Sequence, residues 1–170
     1  MKSKKQLLRE WAELERIRDE RDIAALFALE DPHDFAWLLG EILWRESGAF
    51  DALDAPPSPK RTLWLCNMFW EMDEADGGIS LFESPYAKYA SQIVAAFKEI
   101  GAPKYAGLIE RMMALLPEEL LSGEDTSFEQ LTPEIWDKLD AIEHGLSAYP
   151  DGNLNLLIYR YAHAHAADFV

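Results

Sequence analysis

The segment LWLCNMFWEMDEADGGISLFESPY, residues 63–86, constrains the fold of this chain more than any other. It opens on apolar and aromatic residues in which Leu63, Trp64, Asn67 and Trp70 share one helix face, at spacings of three and four. It then passes through Glu71, Asp73, Glu74 and Asp76, meets Gly77-Gly78, and restarts at Ser84-Pro85. Glycine takes up the positive φ that ends a helix at C′. Serine is a favoured N-cap, and proline suits the first helical position. A core helix, an acidic exit, a glycine stop and a new start are therefore written in one stretch.

The same grammar recurs along the chain. Residues 4–30 read as one helix or two, with Leu7, Trp11 and Leu14 on one side and Ile23, Leu26 and Phe27 as a second apolar patch. After Asp31-Pro32, Asp34 can cap a helix carrying Phe35, Leu38, Leu39, Ile42 and Leu43 that stops near Gly48. Pro56-Pro57-Ser58-Pro59 reads as a stiff loop, too short to separate domains. Tyr86, Tyr89, Ile93, Phe97 and Ile100 predict a helix over 85–100 with Gly101 at C′. Pro103 opens the next, with a core stripe of Tyr105, Leu108, Ile109, Met112 and Leu116, ended by Pro117. An acidic connection over 117–132 with at most a short turn leads to a helix from Pro133 to about Ala148. A turn at Tyr149–Gly152 and a final helix from about Asn153 close the chain. No strand-like alternation appears. The expected fold is all-α, a single compact domain over 1–170 of about seven helices, with a helical arm over 1–30 and a core over 33–170. The helices on either side of Gly101 are expected to be antiparallel neighbours packed on the Trp64/Trp70 helix.

Charge narrows the function classes. The chain holds 31 acidic against 16 basic residues, net −15. Residues 1–21 carry seven of the basic groups and five acidic ones, which leaves nine and 26 for the rest. From Met112 to Tyr159 ten acidic residues face one basic residue, Lys138. Such a domain disfavours nucleic acid and anionic membrane as partners and favours basic proteins. Its aromatic content separates it from a disordered acidic tail. One cysteine rules out an internal disulfide, and no apolar run approaches membrane-spanning length. A soluble, cytoplasmic protein is expected.

The run GGISLFESPYAKYASQIVAAFKEIGAPKYAGLIERMM resembles a family of small bacterial helical domains. The family pattern is an aromatic helix, then Asn-Gly-Gly-Phe with further aromatics, then a helix ending in Ile-Gly-Ala and a second helix. Gly77-Gly78, Phe82, Tyr89, Ile100-Gly101-Ala102 and Tyr105-Ala106 keep it, while Asp76 stands for the Asn and Ile79 for the Phe. The likeness spans roughly residues 36–116. The family includes a small acidic DNA-mimic protein of about this size, which this chain resembles. The motif itself encodes packing and turn chemistry, and the family has no uniform activity. Mimicry is suggested by this chain's acidity.

Other chemistries are weaker matches. Glu74, Asp76, Gly77, Ile79 and Glu83 fall on positions of a calcium-loop template, but its first position would be Met72, whose side chain does not ligate a hard cation. A glycine-ended helix exit explains the same residues. His163 and His165, two apart, point to different sides of a helix, and His33 and His144 lie near helix ends; ordinary solvated histidines are expected. Cys66 reads as a buried small hydrophobe. Asp73 and Glu74 diverge by about 100° on a helix and would not converge on one substrate atom. No phosphate loop, paired-cysteine motif or Ser–His–Asp order is present. No enzyme activity, catalytic residue, metal site or cofactor is expected.

The helix from Pro133 carries the clearest acidic pattern. With Glu134 at 0°, Ile135, Leu139, Ile142 and Leu146 fall between about 80° and 140°, while Asp137, Asp140 and Glu143 fall at about 300°, 240° and 180°. All four acids are expected to be exposed. Glu134, Asp137, Asp140 and Glu143 are the first candidates for a partner-binding surface. Glu124, Asp125 and Glu129 lie beside them, and Asp73, Glu74 and Asp76 form another surface. The expected role is a DNA mimic that occludes the DNA-binding site of a basic protein, a dimeric helix-turn-helix transcription regulator, with no direct nucleic-acid or membrane binding. A homodimer would extend the acidic track to match a two-fold partner. The alternatives are an immunity-type inhibitor of a basic toxin nuclease, a metal-dependent hydrolase at the acidic turn, and a helical scaffold whose charge only keeps it soluble.

Overall fold

Capping chemistry sets the helix boundaries in the computed structural model, which describes residues 3–46, 55–123 and 127–169. Helix α1 (Lys4–Glu20) starts in a reciprocal box: Ser3 Oγ accepts from the Gln6 N–H, and Gln6 Oε1 accepts from the Ser3 N–H. It ends at Arg21, whose φ of 53° splits residues 4–30 in two. Asp22 Oδ1 then accepts from Ala25 N–H at 3.0 Å and starts α2 (Ile23–Phe27). Before α3 (Pro32–Glu46) the capping carboxylate is Asp31, which accepts from His33 N–H at 2.8 Å. Asp34, the expected cap, already sits in the first turn. The stop expected near Gly48 lies outside the described residues.

Helix α4 (Pro59–Asp76) begins on the last proline of the Pro56–Pro59 segment, with Ser58 Oγ accepting from Arg61 N–H. Two 3₁₀ segments follow, Gly78–Glu83 and Ala87–Tyr89, before α5 (Ala90–Glu99). The helix expected from Pro85 is thus α-helical only from Ala90. Ser84 turns its hydroxyl back to Leu81 O at 2.7 Å, and Ala87 N–H reaches only three residues back, to Ser84 O. Helix α6 (Pro103–Met113), the short α7 (Glu118–Ser122), α8 (Pro133–Ser147) and α9 (Leu154–Ala164) complete the α-helices among the described residues, and a 3₁₀ turn at Ala166–Asp168 follows. Seven of these helices have ten residues or more, and among the described residues there is no strand. The protein is all-α.

The chain forms two compact units, one from residues 1–64 with 155–170, the other from residues 65–154. In the first, α1 and α2 pack on α3. Trp11 stacks on Trp37 at 5.6 Å, and Trp44 on Trp64 at 5.8 Å. Phe27, Phe35 and Tyr159 surround the His163 ring, with centroids 4.2–5.2 Å away. His163 is therefore a packed ring, not the solvated histidine its sequence context suggested.

In the second unit α5 and α6 pack against each other across a tight turn. Ala102 N–H bonds Phe97 O at 2.7 Å and Gly101 N–H bonds Lys98 O at 3.2 Å, the paired bonds of a Schellman stop with Gly101 at φ 87°. Phe97 is fully buried, edge-on to Phe69 of α4 at 5.5 Å and stacked on Tyr105 of α6 at 5.4 Å. Within this unit the α4 ring under Phe97 is Phe69. Trp70 instead directs its Nε1 at Glu74 Oε1. Helix α8 packs on α6 and on the first 3₁₀ segment.

Candidate protein-binding acidic surface

The two units divide the charge unequally. Residues 65–154 hold 17 acidic against five basic residues, whereas the other unit holds 14 against 11. In the first unit cations neutralise their neighbours: Arg16 reaches Glu13 at 2.8 Å, Glu20 at 2.6 Å and Asp22 at 3.0 Å, and Arg18 and Arg45 share Asp19. Those bonds hold Glu13 and Asp19 below the ordinary carboxylate range; Asp22 is lowered first by the Ala25 N–H it caps and then by Arg16. In the second unit carboxylates exceed lysines and arginines by 12. Acidity is thus a property of one unit.

Its most structured part is the exit of α4. Gly77 has φ 86° and ψ 155°: positive φ, as expected for a helix stop, but outside the left-handed helical well. Gly78 is required for space, because a Cβ there would lie 2.7 Å from Leu146 Cδ1 and 3.0 Å from Phe69 Cζ. The turn exposes two N–H groups, and Glu143 of α8 takes both. Its Oε2 accepts from Gly78 at 3.1 Å and its Oε1 from Ile79 at 2.6 Å. This overturns the expectation that Glu143 is exposed with its three neighbours: it is half-buried and holds α8 to the α4 exit. The helical wheel contained a hint, since Glu143 lies about 40° from the edge of the apolar stripe, at the boundary of the packed face.

Further along the same contact, the Tyr149 hydroxyl donates to Glu74 Oε1 at 3.0 Å. Tyr149 is about half exposed and holds φ 49°, a conformation uncommon for a bulky residue. Asp151 is taken out of the free surface, because its Oδ2 accepts from the N–H groups of Lys104 and Tyr105, each at 2.8 Å, at the start of α6. Tyr149, Asp151 and the role of Glu143 were not found from the sequence, since each acts across more than 40 residues.

Burial pushes Asp73 up to about 6, with Glu143 and then Glu74 adding to the shift and the Gly78 N–H opposing it. Burial also raises Glu143, against the pull of the Ile79 and Gly78 N–H groups. The other predicted residues are more open. Glu134, Asp137 and Asp140 are exposed on α8, climbing about 4.5 Å per three-residue step. Glu129, Glu74 and Asp76 are exposed, and Asp73 is half-buried. Glu124 and Asp125 lie outside the described residues. The structure therefore brings the α4 exit to α8 and the turn after it, through the Glu143 bonds to Gly78 and Ile79 and the Tyr149 bond to Glu74, so two surfaces distant in sequence meet at one turn.

The matching family profile is that of DMP19-like proteins, over residues 54–165. The chain belongs to the DMP19-like protein family. The match covers all of the second unit and every acidic residue proposed for the partner-binding surface. Neither the search of curated proteins nor that of solved structures found a match.

Among the described residues no three His, Cys, Asp or Glu side chains are grouped to hold a metal ion, and no helix is long and apolar enough to cross a membrane. The calcium-loop positions run through the end of α4 and into a 3₁₀ segment. Cys66 is buried, and burial raises its thiol well above the ordinary range, which keeps it unreactive. His33 Nδ1 lies 3.2 Å from Asn155 Nδ2, and His144 Nδ1 lies 3.1 Å from Asp140 O.

Proposed function

We propose that this DMP19-like protein is a non-enzymatic DNA mimic whose acidic unit occupies the DNA-binding site of a basic protein. The observation that carries the reading is the concentration of carboxylates on residues 65–154, where acids outnumber bases by 17 to five. Glu134, Asp137 and Asp140 stand exposed along one rigid helix, and Glu143 fixes that helix to the acidic α4 exit. Carboxylates at fixed positions replace phosphates. The likeness to a family that includes an acidic DNA mimic supports the same reading. The partner we favour is a dimeric helix-turn-helix transcription regulator in the cytoplasm, met by a homodimer of this protein. Leu7, Leu8 and Trp11 on α1, each more than half exposed, offer an apolar strip for self-association.

The test is capture from native lysate at low salt, followed by competition with DNA on the retained basic protein. Phosphate-directed sites lose affinity steeply with salt, and a carboxylate surface directed at them is weakened by the same ions. Mutually exclusive binding of protein and DNA, weakening with salt, is the expected result. A ternary complex of protein, partner and DNA would exclude occlusion.

A further inference from the structure

Helices α6 and α8 of the acidic unit touch closely at one place and leave a gap at another. The close place is Gly145, where a Cβ would lie 2.9 Å from Leu108 Cδ2. From there residue numbers rise along α6 as they fall along α8, and small residues follow on both sides, Ala114 and Ala141. Their methyl groups leave an open groove of about 420 Å³. Arg111, Ala114 and Leu115 line it from the end of α6, and Lys138, Ala141 and Ile142 line it from α8. The floor is apolar, and the polar members of the lining are two cations.

Those cations are unusual for their setting. Residues 65–154 hold five lysines and arginines against 17 acids. Lys98 is paired with Glu110 at 2.6 Å, Lys104 donates to Pro150 O at 2.9 Å, and Lys88 lies over the Tyr89 ring. The remaining two, Arg111 and Lys138, both line this groove. Among the described residues Arg111 makes no hydrogen bond or ion pair, and Lys138 lends its charge to Glu134 without a salt bridge. Arg111 also sits in the last turn of α6, where a cation meets the negative end of the helix. That weak, exposed interaction leaves its N–H donors open.

We propose that this groove binds a small amphipathic carboxylate, with its chain on Leu115 and Ile142 and its head held by Arg111 and Lys138. Charge complementarity selects the head: this is a cationic spot on a unit whose other surfaces repel an anion. The apolar floor selects the body, since a hydrophilic anion would leave Leu115 and Ile142 uncovered. Size selects a small molecule. The lining spans about one turn of each helix, too short for the row of anchors that a docked helix presents, and the volume falls within the range of small-ligand sites. The proposal does not depend on the DNA-mimic reading.

The test compares octanoate, octanol and octyltrimethylammonium, which share a chain and differ in head charge. Each is added below micelle formation to the whole chain carrying carbon-13-labelled methyl groups. Methyl NMR reports the lining directly, because Ala114, Leu115, Ala141 and Ile142 all carry methyls. The expected result is saturable shifts at these four residues, with octanoate bound about tenfold more tightly than octyltrimethylammonium. Arg111→Gln and Lys138→Gln should each weaken octanoate about twofold to fivefold and leave octanol unchanged. Ala141→Leu, at an exposed position, should fill the groove and remove binding of both. Equal affinity for the three heads would overturn the proposal, as would charge variants that hold octanoate as well as wild type. Shifts that fail to saturate, or that appear equally at exposed Leu7 and Leu8, would show general adsorption and overturn it too. No DNA or protein partner enters these measurements, so their outcome is separate from that of the competition experiment.

Discussion

Glu143 Oε1 lies 2.6 Å from the amide nitrogen of Ile79, a bond between residues 64 apart that fixes helix α8 on the exit of α4. With the companion bond to Gly78, one carboxylate satisfies two part-buried N–H groups that the 3₁₀ segment leaves without helical acceptors. Glu143→Ala should destabilise the protein by about 2–4 kcal/mol, because both donors lose a charged acceptor. Glu143→Gln keeps one acceptor oxygen and should cost about half as much. Urea unfolding of the three proteins gives the comparison; equal stabilities would mean that the contact contributes nothing.

Gly77 adjoins the same carboxylate. Any other residue would carry the strain of φ 86°, and its Cβ would lie 2.7 Å from Glu143 Oε2. Gly77→Ala is expected to cost about 2–3 kcal/mol, more than backbone conformation alone. In the background of Glu143→Ala the clash disappears while the φ penalty stays. The two losses should therefore be less than additive in thermal unfolding.

Phe97 is 0% exposed between Phe69 and Tyr105. Phe97→Ala should lower stability by about 3–5 kcal/mol, through lost transfer energy and the cavity left between the rings. A loss under about 1 kcal/mol in denaturant titration would be incompatible with that burial.

These sites show why some features were legible in the sequence. The Gly101 stop, the α5 and α6 stripes and buried Cys66 depend on residues within a turn or two of one another. Periodicity and capping preference report such neighbours directly. The Glu143 contact is invisible to that kind of reading, because nothing local says which distant carboxylate will meet the Gly78 and Ile79 amides. Ser84-Pro85 failed differently. Both are good helix starters, but the Ser84 hydroxyl is used on Leu81 O and the chain stays 3₁₀ until Ala90. His163 looked ordinary because Phe27 and Phe35 reach it from two other helices, with Tyr159 one turn away on its own. The acidic candidates were visible as charges, while the distinction between exposed Glu134, Asp137 and Asp140 and half-buried Glu143 required the fold.

Asp73 makes a pH-dependent contribution with a definite sign. Its folded-state midpoint of about 6 lies above the ordinary aspartate value of 3.8, so the folded protein holds this proton more tightly than the unfolded chain. The stabilisation is fully present below the unfolded value and is lost as pH rises through about 6. At neutral pH the ionised carboxylate is a liability. Asp73→Asn should then stabilise the protein by about 1–2 kcal/mol at neutral pH, after discounting for the water that still reaches the half-buried group. At pH 4 the advantage should largely vanish. Unfolding free energies of wild type and variant across this range test it, and a difference independent of pH would contradict the cause given for the shift.

The exposed acids of α8 allow the mimic surface to be tested without disturbing the fold. Glu134, Asp137 and Asp140 are exposed, and the bond from α8 to the α4 exit is made by Glu143, which stays intact. The variant carrying Glu134→Gln, Asp137→Asn and Asp140→Asn removes three charges at nearly constant shape. Its thermal stability should match wild type within about 0.5 kcal/mol, as surface changes usually do. If each rim charge contributes about 0.2–1 kcal/mol, the captured basic partner should bind the variant about threefold to a hundredfold more weakly at low salt. Rim charges act chiefly on association, so the loss should appear mainly in the on-rate and shrink as salt is added. The salt dependence is the decisive reading. Wild type and variant should converge at high ionic strength, where the three carboxylates are screened in both. A variant that loses affinity equally at all salt concentrations would have lost shape rather than charge. One that displaces DNA as well as wild type at low salt would place the mimic surface elsewhere on the acidic unit, with the α4 exit next to be tested.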